Sequence, residues 1–183
     1  DLPYAGYSAS ADWLTRLREP SVVALAVPLY RNLPALRRGA RRILRASVIG
    51  SLLAVGLTVV VNLLFGASRE VAVSTLPRSV TTPIALAIGG QTGATLGLTV
   101  VSVIVAGLAG AAFGPALLDR LGVRDPGARG LAMGAASHAL GTARIGEESD
   151  AARAHASVAI VGCGVVTALV APLAARAIGA WWP

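Results

Sequence analysis

Two stretches of the chain gather hydrogen-bonding side chains in otherwise apolar surroundings. The first is Ser74-Thr75-Leu76-Pro77-Arg78-Ser79-Val80-Thr81-Thr82-Pro83-Ile84-Ala85, with the hydroxyls of Ser79, Thr81 and Thr82 bracketed by Pro77 and Pro83. The second is Gly130-Leu131-Ala132-Met133-Gly134-Ala135-Ala136-Ser137-His138-Ala139-Leu140-Gly141-Thr142-Ala143. Proline removes a backbone donor and breaks a helix, and glycine permits unwound backbone. Hydroxyls beside freed backbone groups can hold a small anion such as a carboxylate. A half-helix pointing its N-terminus at the anion adds about half a positive charge. His138 can donate to the same anion or carry a coupling proton near neutral pH. The candidate binding set is therefore Ser79, Thr81, Thr82, Pro83, Ser137, His138, Gly141 and Thr142. The alternatives are hydroxyls that only bond neighbouring helices and a neutral His138 that ties two helices together.

Other chemistry is poorly supplied. Ser137 and His138 are chain neighbours without an orienting acid. The two histidines are far apart and lack carboxylate partners for a metal, and no phosphate-binding loop is present. We expect no enzymatic activity, no cofactor and no metal. His155 reads as a solvated residue in a charged loop with Asp150 and Arg153. Arg78 either attracts anions or snorkels to the headgroups, with snorkelling preferred. Cys163 lies in an apolar run and reads as packing. Glu19 reads as a partner for Arg16 or Arg18 rather than a proton carrier. Gly110-x-x-x-Gly114 reads as helix packing, and Gly130-x-x-x-Gly134 as either packing or part of the site.

These residues need elements to position them, and composition says which. Of 183 residues, 55% are hydrophobic and 14% charged, against about 25% charged in an ordinary soluble domain. The net charge of +7 comes from 16 basic residues, all Arg. They cluster in short segments between apolar runs, without the interleaved aromatics of a nucleic-acid surface. This is the positive-inside pattern of a membrane protein, and nucleic acid is excluded as a partner. Segments 46–68, 98–118 and 156–175 are long and uncharged enough to span a bilayer. Segment 13–30 is weaker, because Arg16, Arg18 and Glu19 interrupt it and Pro20 and Pro28 bend it. Trp181 and Trp182 read as an interfacial belt.

The expected fold is all-α, a polytopic transmembrane helical protein with two broken or re-entrant helices. Each half offers a clean span, a charged turn with a glycine (Gly66 or Gly122) and then a broken segment, so half-repeats 19–90 and 98–178 within one membrane domain, 1–183, are expected. The Arg31–Arg45 loop has six Arg and no acid, which makes it cytoplasmic. Three Arg in the 120–129 turn place that turn on the same side. The broken segments would then enter from opposite sides, as in inverted-repeat transporters.

The sequence resembles the LrgB/CidB family of bacterial membrane proteins. The resemblance runs over nearly the whole chain. It rests on Pro20-Ser21-Val22-Val23-Ala24-Leu25-Ala26-Val27-Pro28-Leu29-Tyr30, Leu76-Pro77-Arg78-Ser79-Val80-Thr81-Thr82-Pro83-Ile84-Ala85 and the run from Ala128 through Arg129 and Gly130 to Ala143. Arg78 stands where relatives often carry Lys or a neutral residue. Members usually have one or two further spans before this point, and Asp1-Leu2-Pro3-Tyr4 resembles neither a signal peptide nor an initiating segment, so N-terminal spans are expected to be missing. The resemblance implies a multi-pass protein of the bacterial cytoplasmic (inner) membrane. One functional implication is a secondary transporter of small monocarboxylates of the pyruvate, glycolate or lactate class, as in the plastid glycolate/glycerate translocator. The alternative is an antiholin-like regulator of murein hydrolase activity and lysis. The expected partners are the lipid bilayer, a small carboxylate substrate, an LrgA/CidA-type small membrane protein and, in a homodimer, a second copy of the chain.

Overall fold

A computed structural model describes residue 30 and residues 33–182. Among the described residues the fold is all-α, as expected. The helices are α1 (Leu33–Leu64), α2 (Arg69–Thr75), α3 (Thr82–Thr92), α4 (Leu96–Arg120), α5 (Pro126–Gly146) and α6 (Asp150–Trp181). Three of them, α1 from Gly39, α4 and α6, are long and apolar enough to cross a membrane. The segment 13–30, with Glu19, lies outside the described residues but for Tyr30.

Charge proves a poor marker of helix ends here. The expected Arg31–Arg45 loop is helical from Leu33 onward. Arg is a good helix former, so the uncharged window marks where α1 can enter lipid and not where it begins. At 32 residues, α1 is about 48 Å long, well beyond a hydrocarbon core of about 30 Å. The charged loop expected around His155 is likewise the start of α6. Ser149 caps that helix by accepting from the Ala152 amide at 3.1 Å. Asp125 caps α5 in the same way, accepting from Ala128 N at 2.8 Å. The two expected glycine turns are present, with Gly66 at φ 60° and Gly122 at φ 70°.

Both broken segments double back. Arg129, in the first turn of α5, pairs with Glu148 just past its end, at 2.8 Å. Along a straight helix those residues would stand about 28 Å apart. The reversal falls at Ser137 (φ −135°, ψ 19°) and His138 (φ 41°, ψ −131°). Gly141 then passes so close to the outgoing leg that a Cβ there would lie 2.6 Å from the Met133 carbonyl oxygen. The first broken segment is a second hairpin. From α2 to α3 the chain turns through residues 76–81, with Arg78 N donating to Thr75 O at 3.2 Å and Val80 N to Pro77 O at 3.2 Å. It returns to its starting level, because the Thr95 amide donates to Ser74 Oγ at 2.9 Å and the Thr95 hydroxyl donates to Glu70.

Small residues set the packing. Lipid gives no hydrophobic drive between helices, so close backbone approach takes its place. A Cβ on Gly130 or Gly134 would run into the backbone of Ala152 or Ala156 on α6. Gly107, Gly110 and Gly114 of α4 receive His138, Ser137 and Met133 of α5. Both glycine pairs are therefore contact surfaces. Large apolar side chains such as Phe113, Leu169 and Leu173 are exposed at 72%, 68% and 62%, as a lipid-facing perimeter requires.

Candidate functional site

The tip of the first hairpin carries Arg78 and Ser79. Arg78 Nε donates to Thr58 Oγ1 of α1 at 2.8 Å, and that hydroxyl donates on to Ala54 O at 2.7 Å. Asn62, one turn further along α1, donates to Thr58 O at 2.8 Å and to Thr75 Oγ1 at 3.0 Å. The guanidinium is thus anchored to α1 at Thr58, inside the apolar stretch Gly39–Leu64 and nearly two turns before its end. This corrects the preference for a snorkelling Arg78: α2 is only seven residues long, so the hairpin carries Arg78 to the depth of Thr58. Among the described residues no carboxylate pairs with Arg78.

Arg78 and Ser79 line a cavity of about 610 Å³. Its other walls are apolar: Ala46, Ile49, Gly50, Leu53, Ala54 and Leu57 of α1, and Ala128, Leu131, Ala132, Ala135 and Ala136 of the outgoing leg of α5. Ala135 and Ala136 immediately precede the second reversal, so both hairpin tips meet the same cavity. The α1 wall lies at the centre of the helix, well inside the apolar stretch Gly39–Leu64. This gives one cation and one hydroxyl on the wall of an open-sided apolar cavity beside α1.

The remaining candidates divide into two groups. Thr81, Thr82 and Pro83 form the start of α3, directly after Ser79. Thr81 is the N-cap residue, yet its side chain makes no capping bond. It is buried at 6% exposure, and its hydroxyl has no partner among the described residues. Pro83 has no N–H, and the first amide to close a helical bond is Ala85 N, to Thr81 O at 2.9 Å. An unpaired hydroxyl and free amide donors therefore share the α3 N-terminus, where partial positive charge accumulates.

The second group faces away from the cavity. Ser137 is 1% exposed, and its side chain fills the notch at Gly110. His138 Nε2 lies 3.0 Å from Val103 O. Only a protonated nitrogen can pair with a carbonyl, so Nε2 carries the hydrogen. Thr142 Oγ1 donates to His138 O at 2.9 Å, and Gly141 allows the return leg to pass Met133. These residues build the second tip and seat it against the middle of α4. Of the eight candidates only Ser79 lines the cavity. His138 sits as the tie between helices that the sequence offers as its alternative, though at φ 41°. A non-glycine residue in that region is strained and is held by its surroundings.

The sequence reading missed the α1 wall. Ala46, Gly50, Ala54 and Leu57 recur at helical spacing and leave space where larger residues would fill it. The accompanying signal was polar: Ser47, Ser51, Thr58 and Asn62 form one stripe in an apolar helix. Ser51 Oγ donates to Cys163 O at 3.4 Å across to α6, and Cys163 is a buried free thiol, as the packing reading of that residue holds.

Residues 1–177 match the model of the LrgB-like family. An uncharacterized protein of Haemophilus influenzae is 38% identical over 97% of this chain and 77% of its own length. An antiholin-like protein LrgB of Bacillus mycoides is 35% identical over 94% of this chain and 75% of its own. A holin-like protein CidB of Staphylococcus epidermidis is 32% identical over 93% and 74% respectively. No solved structure matches.

Proposed function

The chain belongs to the LrgB-like family, and from that premise and the cavity together we propose that it is a secondary transporter of small monocarboxylates, of the pyruvate, glycolate or lactate class. The observation that carries this reading is Arg78, a guanidinium with no acid partner among the described residues, at the wall of an open-sided apolar cavity. An ionic group within a membrane-spanning bundle is costly and points to a pathway. A monocarboxylate matches the chamber in kind, one negative charge on a small apolar body. Ser79 supplies a hydroxyl on the same wall, and Thr81 with the free amides of α3 follows it closely in the chain.

The protein is placed by this reading in the bacterial cytoplasmic membrane, in several passes. The two hairpins start from opposite ends of the bundle, which supports the inverted-repeat arrangement. The α1 start, with Arg37, Arg41, Arg42 and Arg45, faces the cytoplasm. Single cysteines placed there in a Cys163→Ala background should resist an impermeant thiol reagent in intact cells and react once the cells are opened. Labelling from outside would reverse the topology.

Uptake of labelled pyruvate and glycolate into proteoliposomes tests the transport reading, and Thr81 sharpens it. A buried hydroxyl without a partner costs stability, so Thr81→Val should leave the melting temperature unchanged or raise it. If the hydroxyl serves the substrate, the same change removes one hydrogen bond, about 0.5–1.5 kcal/mol, and weakens apparent affinity by roughly 2–12-fold. Unaltered uptake in Thr81→Val would take this residue out of the site.

The names of the relatives speak for a second reading more than for the first. Proteins called antiholin-like LrgB and holin-like CidB are similar over more than nine-tenths of this chain. On that reading the chain regulates murein hydrolase activity and lysis, through an LrgA/CidA-type small membrane protein or as a homodimer. It predicts that deletion alters lysis and that uptake-deficient Arg78→Gln and Thr81→Val variants, put back in place, still restore lysis control. Loss of lysis control in step with loss of uptake would instead make transport the primary activity.

A further inference from the structure

At the end of the molecule that carries Trp181 and Trp182, a second cavity of about 470 Å³ opens between α2, α3 and α6. Arg69 at the start of α2 and Arg176 near the end of α6 both line it, with Gln91 and Thr92 from the end of α3. Neither Arg has an ion-pair partner among the described residues. Glu70, next to Arg69, is engaged by the Thr95 hydroxyl. The Arg69 guanidinium lies over Gly179, where a Cβ would come within 2.9 Å of Nη2, so the bare backbone there gives it room. Pro172, Ala175 and Ala180 supply an apolar wall. Two features point to the headgroup level for this cavity. Trp182 Nε1 donates to Ala67 O in the turn after α1, at 3.1 Å, and the exposed Trp181 stands beside it. Indole rings with one apolar and one hydrogen-bonding edge favour the headgroup level.

We propose that this cavity binds the phosphodiester headgroup of an anionic phospholipid. Two guanidinium forks from different helices can share one phosphate, and Gln91 offers an amide to the headgroup beyond it. The apolar wall meets the glycerol and first acyl carbons. The lipid would then clip the α2–α3 hairpin to the end of α6. This site is separate from the mid-helix cavity and does not depend on what that cavity carries.

The test uses the full chain purified in detergent, with its melting temperature measured as lipid is added. Phosphatidylglycerol should raise the melting temperature by several degrees and phosphatidylcholine, which has no net charge, much less. Arg69→Gln and Arg176→Gln should each weaken the phosphatidylglycerol response, by about fivefold in the lipid concentration required, the worth of one basic residue near an anionic surface. The double variant should abolish it. Arg69→Lys/Arg176→Lys, which keeps both charges and loses the forks, should retain part of the response. An equal response to both lipids, or a full response in the double glutamine variant, would overturn the site. Inorganic phosphate reproducing the whole shift would overturn the lipid assignment in favour of a free anion.

Discussion

If the chain carries monocarboxylates as proposed, uptake of labelled pyruvate at limiting concentration is expected to fall by roughly 10–150-fold in Arg78→Gln, since a hydrogen bond to a charged group is worth about 1.5–3 kcal/mol. Protein stability should not fall with it. Among the described residues Arg78 has no carboxylate partner, so its removal strands no buried acid there, and the cost of holding a cation against apolar walls falls away. Arg78→Lys should lie between. It keeps the charge, but a lysine has no counterpart of Nε from which to hold Thr58 while presenting two further donors to the cavity. The informative pair of measurements is proteoliposome uptake and melting temperature on the same preparations. Uptake lost with stability preserved identifies a ligand-binding cation. Uptake and stability lost together would mean that Arg78 only ties the hairpin to α1, and unchanged uptake would end the carboxylate reading of the cavity.

The sequence made the helices and both breaks legible for different reasons. Segments 98–118 and 156–175 announce α4 and α6 because nothing charged interrupts them, and their caps add only a turn or two. Pro77 and Pro83 forbid a continuous helix, so the first break is written in covalent chemistry. The second break was visible only as a crowd of small and polar residues. Its reversal occurs at His138, where φ 41° would ordinarily call for glycine, while Gly134 and Gly141 serve close contacts. Local preference therefore pointed to the segment but not to the residue. What holds the turn is tertiary: the ring bonds Val103 O, and Ser137 fills the Gly110 notch.

The site was less legible than the fold. Hydroxyls attract attention as donors, yet Thr142 spends its own inside the second hairpin, and the Ser137 side chain is packed against Gly110 of α4. The cavity wall is mostly alanine and leucine, which carry no chemical signal. Arg78 was misplaced because its depth depends on how far a short hairpin reaches, a property of α2 and its contact with Thr58 rather than of residues near Arg78 in sequence. In the same way, counting Arg in the 120–129 turn overstates its charge. Arg129 is spent on an internal pairing, which leaves Arg120 and Arg124 to speak for topology.

That pairing carries the largest expected effect on stability. Arg129 is 8% exposed and joins three parts of the chain at once. Nη1 bonds Asp119 at the end of α4 at 2.6 Å and Val123 O in the turn at 3.0 Å. Nε and Nη2 form a fork on Glu148 beyond α5, at 2.9 and 3.0 Å. The mouth of the second hairpin is therefore closed by one side chain. Arg129→Ala leaves Glu148, whose side chain is only 30% exposed, without its partner. Breaking a buried ion pair costs about 3–5 kcal/mol, and the lower end applies here because Asp119 is 67% exposed and water can solvate it. Arg129→Lys retains one charge but cannot offer a fork to Glu148 while reaching Asp119 and Val123, so it should recover less than half of the loss. The double variant Arg129→Met/Glu148→Met removes the stranded acid together with its partner and should be more stable than Arg129→Ala alone. Equilibrium unfolding in mixed micelles measures all three. If Arg129→Ala unfolds like the parent, the hairpin is held by its glycine contacts with α6, Gly130 on Ala152 and Gly134 on Ala156, and the ion cluster is only a surface ornament of the turn.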